Sequence, residues 1–320
     1  MPQIIDLTGS SPAAPTRQTR SSTRQVLPPT VPLPNNHQPQ EPPSGKPKID
    51  HILPGFSIHS LPLPTEDHHA LRSKRTWLFS HTVPLPRDVL RSITLNPSTY
   101  RNPVDATYVF AKAEAGTAVC ISPDGVLLTC AHCIAETLSE LTTTSSHVLV
   151  HSSGNIVSAT LLAWDQARDL ALLLISQAEI LNRPFPYARI AHSPPKFNSK
   201  LLCIGHPGSE DLEANRSGVK TEYDALVLSE GTFRGLAKNQ DPQNNGDIGA
   251  LKHNCWTYWG HSGAGLFDRK TGALAGVHSS WDEETGMRRG VPLEAVMAFL
   301  QEFEMSRQKS FGEQWQWYVK

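Results

Sequence analysis

Gly260-His261-Ser262-Gly263-Ala264-Gly265 sets a serine at the centre of a glycine-rich turn. A serine hydroxyl is a poor nucleophile at neutral pH. It needs an imidazole to take its proton and a carboxylate to orient that imidazole and stabilise it once charged. Upstream, Thr129-Cys130-Ala131-His132-Cys133 supplies an imidazole, and Asp169-Leu170-Ala171-Leu172 a carboxylate at the edge of an apolar run. The chain order is therefore His132, Asp169, Ser262. Asp165 lies four residues earlier and competes for the acid role, but only Asp169 abuts the run that would bury it beside a histidine. The glycines also have a chemical use, because a tight turn can aim the N–H groups of Gly260 and Ser262 at one point, where an oxyanion would develop.

Outward from these segments the pattern is one of short β-rich runs broken by Gly, Pro and Asn. They span 106–111, 117–121, 126–129, 148–151, 156–163, 170–175, 201–204, 225–231 and 273–279. Pro123-Asp124-Gly125 between two apolar runs is a turn signal. Many short strands of this kind predict an all-β protein of two antiparallel barrels. Pro292 to Met305 reads as a C-terminal helix, with Leu293, Val296, Met297 and Leu300 at helical spacing. Residues 9–66 are dominated by Pro, Ser, Thr and polar residues that cannot build a core, so a disordered tail is expected over 1–75. The catalytic domain is expected over 76–305 and a second tail over 306–320. In that second tail Gln314-Trp315-Gln316-Trp317-Tyr318 should pack on the body or a partner. The basic run Arg72-Ser73-Lys74-Arg75 reads as a solvated linker.

At 320 residues with a net charge of −1, the chain has no overall bias toward nucleic acid or an anionic membrane. Its longest apolar run, Leu170 to Ile175, is far short of the roughly 20 residues of a membrane span. No secretory signal pattern is visible, and the five cysteines are an odd number, so reduced thiols and an intracellular place, nuclear or cytoplasmic, are expected. Cys130-Ala131-His132-Cys133 contains metal-ligand types but lacks a second ligand pair at zinc-like spacing, so neither a metal nor an organic cofactor is expected.

Taken together, these motifs resemble the chymotrypsin-like serine peptidases, and their HtrA-like branch more than the digestive trypsins. Gly116 to Thr129 resembles the hairpin that delivers the catalytic histidine, and Asp165 to Leu174 the segment carrying the orienting aspartate. Leu202-Cys203-Ile204-Gly205-His206-Pro207-Gly208 resembles the opening of the second barrel. Gly260 to Asp268 with Gly276-Val277-His278-Ser279 resembles the nucleophile loop and the strand that receives the substrate backbone. The resemblance implies two six-stranded barrels, a protein or peptide substrate, His132, Asp169 and Ser262 as catalytic residues, and Gly260 and Ser262 as oxyanion donors. It also implies a specificity pocket around Trp256, His278 to Trp281 and Gly290, with two tryptophans favouring apolar side chains. His261 replaces the aspartate by which trypsins sense a freshly cut N-terminus, so activation by cleavage is not expected. Cys133 follows His132 as in trypsins, but no cysteine stands at its usual partner's position and no disulfide is implied.

Two other readings compete. Gly260-His261-Ser262-Gly263-Ala264 nearly fits the Gly-x-Ser-x-Gly elbow of α/β-hydrolases, which requires Asp and His after the serine and a helix behind it. A peptidase-like module that binds without cutting is the other. At the N-terminus Ile4-Ile5-Asp6-Leu7-Thr8 resembles a SUMO-interacting motif, a segment that adds as a strand to an exposed sheet edge. It implies SUMO as a partner.

Overall fold

Alternation within the short apolar runs separates two packing surfaces. Tyr108, Phe110, Ala118, Cys120, Leu127, Leu149, Ala171 and Leu173 fall in one buried cluster, whereas their chain neighbours Val109, Val119, Val126, Leu128, Val150, Leu170 and Leu172 fall in another. Successive strand residues point to opposite faces, so runs buried on both faces read as continuously apolar rather than alternating. The computed structural model describes residues 49–52, 61, 63–97, 101–112, 116–141, 146–181, 184–216 and 218–311, with side chains as far as 306. The segment Ile4 to Thr8, the rest of 1–48 and the aromatic stretch 314–318 lie outside the described residues.

The first half runs β1 (Asp50–His51), α1 (Thr65–Ser80), α2 (Arg87–Leu95), β2 (Thr107–Phe110), β3 (Thr117–Cys120), β4 (Val126–Thr129), α3 (Leu138–Leu141), β5 (His147–His151), β6 (Ile156–Asp165) and β7 (Leu170–Ala178). The second runs β8 (Lys200–Gly205), β9 (Val227–Leu236), β10 (Leu251–His253), β11 (Gly265–Asp268), β12 (Leu274–Trp281), β13 (Arg288–Pro292) and α4 (Leu293–Phe311). Strands β2 to β7 close in the order β7-β4-β3-β2-β5-β6, and β6 returns to β7 with Leu161 opposite Leu173. The short β1 adds to β7 in parallel. Strands β8 to β13 form the second closed barrel, in the order β10-β13-β12-β11-β8-β9. Two six-stranded antiparallel barrels with a C-terminal helix make a chymotrypsin-like fold. The α/β-hydrolase alternative falls here, because Gly265 opens strand β11 where that fold needs a helix.

The expected strands all form, and β10, β11 and β13 join them, with the short β1 inside the stretch expected as tail. Pro292 closes β13, and the helix starts one residue later and continues to Phe311, beyond the expected Met305. The expected tail to residue 75 gives way earlier, because α1 spans that boundary and docks on the first barrel. Its Leu71 and Leu78 are buried, and Lys74 Nζ donates to the carbonyls of Phe110 (2.8 Å) and Lys112 (2.6 Å). Burial pulls the Lys74 ammonium down to about 7 against the pull of Asp67. Arg75 pairs with Glu179 at 2.8 Å. The basic run expected as solvated linker is thus half interface: its lysine caps carbonyls left open at the end of β2, where an unpaired buried carbonyl would cost about 1–3 kcal/mol. No described helix is long and apolar enough to cross a membrane.

Candidate active site

The turn after β4 is a 3-10 segment, Ala131–Cys133, and it carries His132. Trp164, buried on β6, donates its indole N–H to the Ala131 carbonyl at 3.1 Å and so fixes that turn from behind. His132 Nδ1 lies 2.9 and 3.0 Å from the two carboxylate oxygens of Asp169, and the His132 backbone N–H donates to Asp169 Oδ1 at 3.2 Å. Asp169 enters β7 from a left-handed conformation, φ 55°, which turns its buried carboxylate toward the histidine. Asp165 does not reach the site. It is buried and pairs with Arg168 at 2.7 Å. Arg168 also reaches Glu302 of α4 at 2.6 Å and Gln243 at 2.8 Å, tying the β6–β7 turn to the C-terminal helix and the loop before β10.

Burial alone would lower the His132 imidazole, but the Asp169 charge and hydrogen bond, with Cys133 beside it, hold it up at about 10. With Nδ1 committed to Asp169, Nε2 is the ring nitrogen left to exchange a proton. The imidazole remains one-third exposed, so substrate and water can reach it.

Ser262 sits where the two barrels meet. Its carbonyl accepts from Thr117 N–H on β3 at 2.8 Å, and the next residue, Gly263, donates to the His278 carbonyl on β12 at 2.9 Å. Gly263 has φ 84°, and a side chain there would run into the Thr117 carbonyl, so the position requires glycine on both counts. Thr117 is a hub that the sequence reading missed. Besides gripping Ser262, its hydroxyl accepts from His206 N–H at 3.0 Å and its carbonyl from Thr129 Oγ1 at 2.7 Å. The Ser262 hydroxyl donates to the Ser279 carbonyl at 3.2 Å rather than to His132. Ser279 lies at a register shift between the pairs His278–Gly290 and Ser280–Arg289, a bulge that turns its backbone out of the ladder. Gly260 has φ 97°, and neither its N–H nor that of Ser262 donates to an acceptor among the described residues. Two unspent donors flanking a nucleophile are what an oxyanion site requires.

Around the expected pocket, Trp256 packs edge-on against His261 (5.4 Å between ring centres) and Tyr223 (5.1 Å), while Trp259 meets Trp281 at 4.5 Å. His261 and His278 are buried, and burial pulls His261 down to about 4 and His278 well below 6.5. His278 Nδ1 and His253 Nε2 are 3.0 Å apart. All five cysteines are free. Cys130, His132 and Asp169 bring possible ligand atoms within 4.8 Å of one another, with His132 Nδ1 and Asp169 already engaged with each other.

The trypsin-like peptidase domain profile matches residues 116–277, which contain His132, Asp169, Gly260 and Ser262 and end just before His278 and Ser279. Among solved structures, a serine endoprotease from Yersinia pestis is 18% identical over 69% of this chain and 68% of its own, with a TM-score of 0.48. A protein from Mycobacterium tuberculosis, solved in an inactive form, is 17% identical over 71% of this chain and 98% of its own, again with a TM-score of 0.48. No curated protein sequence matches the chain.

Proposed function

The chain belongs to the trypsin-like peptidases and is a serine peptidase, and from that premise we propose that it is an endopeptidase in which Ser262 is the nucleophile, His132 the base and Asp169 the orienting acid. The observation that carries this assignment is the two-pronged contact of Asp169 with His132 Nδ1 and the His132 backbone N–H. Such a carboxylate fixes the tautomer and stabilises the imidazolium that forms during turnover. His132 Nε2 takes the Ser262 proton as Oγ attacks a peptide carbonyl. The N–H groups of Gly260 and Ser262 receive the negative charge that develops on the carbonyl oxygen. His132 then protonates the leaving amine, and a water deprotonated by His132 releases the acyl group from Ser262. The bulged backbone of Ser279 lies beside Oγ, at the end of the strand that would align an extended peptide. The aromatic pairs Trp256–Tyr223 and Trp259–Trp281 support a preference for apolar side chains.

The finer proposals concern branch, place and target. The absence of a zymogen-type aspartate at His261 supports the HtrA-like branch and activity without cleavage near Arg75. The Ile4 to Thr8 segment supports a nuclear peptidase directed to SUMO-modified proteins, the tail choosing the target and the barrels cutting it. The rival reading, a module that binds peptides without cutting them, draws on the Ser262 hydroxyl bonding to Ser279 instead of His132. Catalytic hydrogen bonds in ligand-free enzymes are often long or misdirected and tighten only around substrate.

A diverse peptide library incubated with the full-length chain decides between them. Hydrolysis by the wild type, with apolar residues before the cut and none in Ser262→Ala, is expected. Peptide retention without cleavage would establish the binding module.

A further inference from the structure

Cys130 and Cys133 flank the catalytic histidine and are used by nothing in the mechanism above. They sit three residues apart across the 3-10 turn, whose closing bond runs from Cys133 N–H to the Cys130 carbonyl at 3.3 Å. A turn of this kind holds its end Cα atoms within about 7 Å, which overlaps the roughly 4.4–6.8 Å that a disulfide spans. Both thiols touch the nucleophile's support. Cys133 Sγ lies 3.5 Å from the Ser262 carbonyl, and Cys130 Sγ lies 3.4 Å from the carbonyl of His278, the same oxygen that receives the Gly263 N–H. Each thiol also acts on the other's charge. Cys130 is buried, whereas Cys133 is partly exposed.

We propose that Cys130 and Cys133 form a redox-active pair that closes to an intramolecular disulfide under peroxide and switches the adjacent active site off. This rests on the peptidase reading and adds a regulator to the same site. The pair has the required asymmetry. The hydrogen bond from Cys130 and the His132 charge favour the Cys133 thiolate against burial, while burial and the Cys133 contact push Cys130 up. A thiolate beside a cationic imidazole and partly open to solvent is the reactive kind. The Cys133 thiolate attacks one peroxide oxygen. An S–O bond forms, the O–O bond breaks and hydroxide leaves, taking up the proton the thiol lost and becoming water. Cys130 sulfur then attacks the sulfenic sulfur. The S–S bond forms, the S–O bond breaks, and the departing oxygen takes the Cys130 proton as a second water. Two thiols are oxidised by two electrons and hydrogen peroxide is reduced to two waters.

Oxidation removes the Cys130 S–H donor from the His278 carbonyl, fixes the Cys133 sulfur that lies beside the Ser262 carbonyl, and covalently closes the turn around His132. A displacement of His132 of about 1 Å would cost about 10²-fold in rate. Reduction by a dithiol restores the open turn.

The test uses the full chain, with a chelator present, and starts from the fully reduced protein. Peptide hydrolysis is measured before peroxide, after it and after dithiothreitol, and the thiols are alkylated and mapped by mass spectrometry at each stage. Expected are a loss of about 10²-fold, recovery with dithiothreitol, and a Cys130–Cys133 peptide lighter by two hydrogens and closed to alkylation only in the oxidised sample. Cys133→Ser, which removes the attacking sulfur and keeps a donor for the Ser262 carbonyl, should hydrolyse peptide and show no dithiothreitol-reversible loss. The proposal is overturned if the oxidised chain alkylates at both sites, or if either cysteine bridges to a third. An oxidised pair that cuts at the reduced rate also overturns it, as does a loss that appears only without the chelator, which would make the thiols a metal trap. A reduced chain that cuts no peptide would instead sink the peptidase reading, while the mass map still decides whether the disulfide forms.

Discussion

Asp169 and Asp165 are both buried aspartates at one turn, and what separates them is where each carboxylate spends its charge. Asp165 neutralises Arg168, whereas Asp169 reaches His132 with both oxygens. This was legible in the sequence because Asp169 directly precedes the run that becomes β7. The hub role of Thr117 was not, since nothing in a small polar residue on a short strand announces three hydrogen bonds to distant segments. The raised imidazole carries a consequence for rate. Only neutral His132 can act as base, and Asp169 and Cys133 hold it protonated well past its ordinary 6.5. kcat/KM should therefore climb with pH through neutrality into the alkaline range. Asp169→Asn should lower the rate by about 10⁴-fold and bring the limb down in pH, the cost of losing the orienting carboxylate of such a triad. A near-normal rate in Asp169→Asn, or a profile flat from pH 5 to 8, would remove His132 and Asp169 from these roles.

Strands β10 and β12 and the turns around them enclose histidines that are neutral for a reason of packing. His206, His253, His261 and His278 are buried in the second barrel, and burial lowers all four, His253 to about 3 and His261 to about 4. His147 on β5 is likewise buried and lowered to about 4. In the unfolded chain each titrates near 6.5, so between about 6.5 and 4 the unfolded state binds protons the native state refuses. Stability is therefore complete above 6.5 and falls with acid through that window, by up to about 1.4 kcal/mol per pH unit for each histidine. His132 has the opposite sign, its contribution being complete below 6.5 and lost as pH rises toward 10. Urea unfolding of the full chain should thus give a free energy lower by about 3 kcal/mol or more at pH 5 than at pH 7. Equal values at the two pH values would mean that the cluster is hydrated or already charged. Two elements that escaped the sequence, α1 and β13, share a cause. In α1 the inward positions are Asp67, Leu71, Lys74 and Leu78, so charged residues occupy half of the helical stripe and hide its period. In β13 Arg289 is buried and donates to Gly249 and Gln240, so a charged residue interrupts the apolar pattern of a short run.

At the scale of the whole molecule, the two barrels were legible because turn residues punctuate apolar runs of strand length, and the candidate site because its serine, histidine and aspartate come from three separated runs that a two-barrel fold brings together. The domain edge was less so. Composition placed it near 75, but α1 begins at Thr65, held by Lys74 and Arg75 contacts that only the assembled barrel creates. The central claim is that this assembly activates one hydroxyl. A fluorophosphonate, which phosphorylates only a serine made nucleophilic by its surroundings, tests it directly on the native full-length chain, with the modified peptide sequenced by mass spectrometry. A single adduct on Ser262 is expected, absent in His132→Ala and in heat-unfolded protein. No adduct under native conditions, or an adduct on another serine while Ser262 stays free, would contradict it.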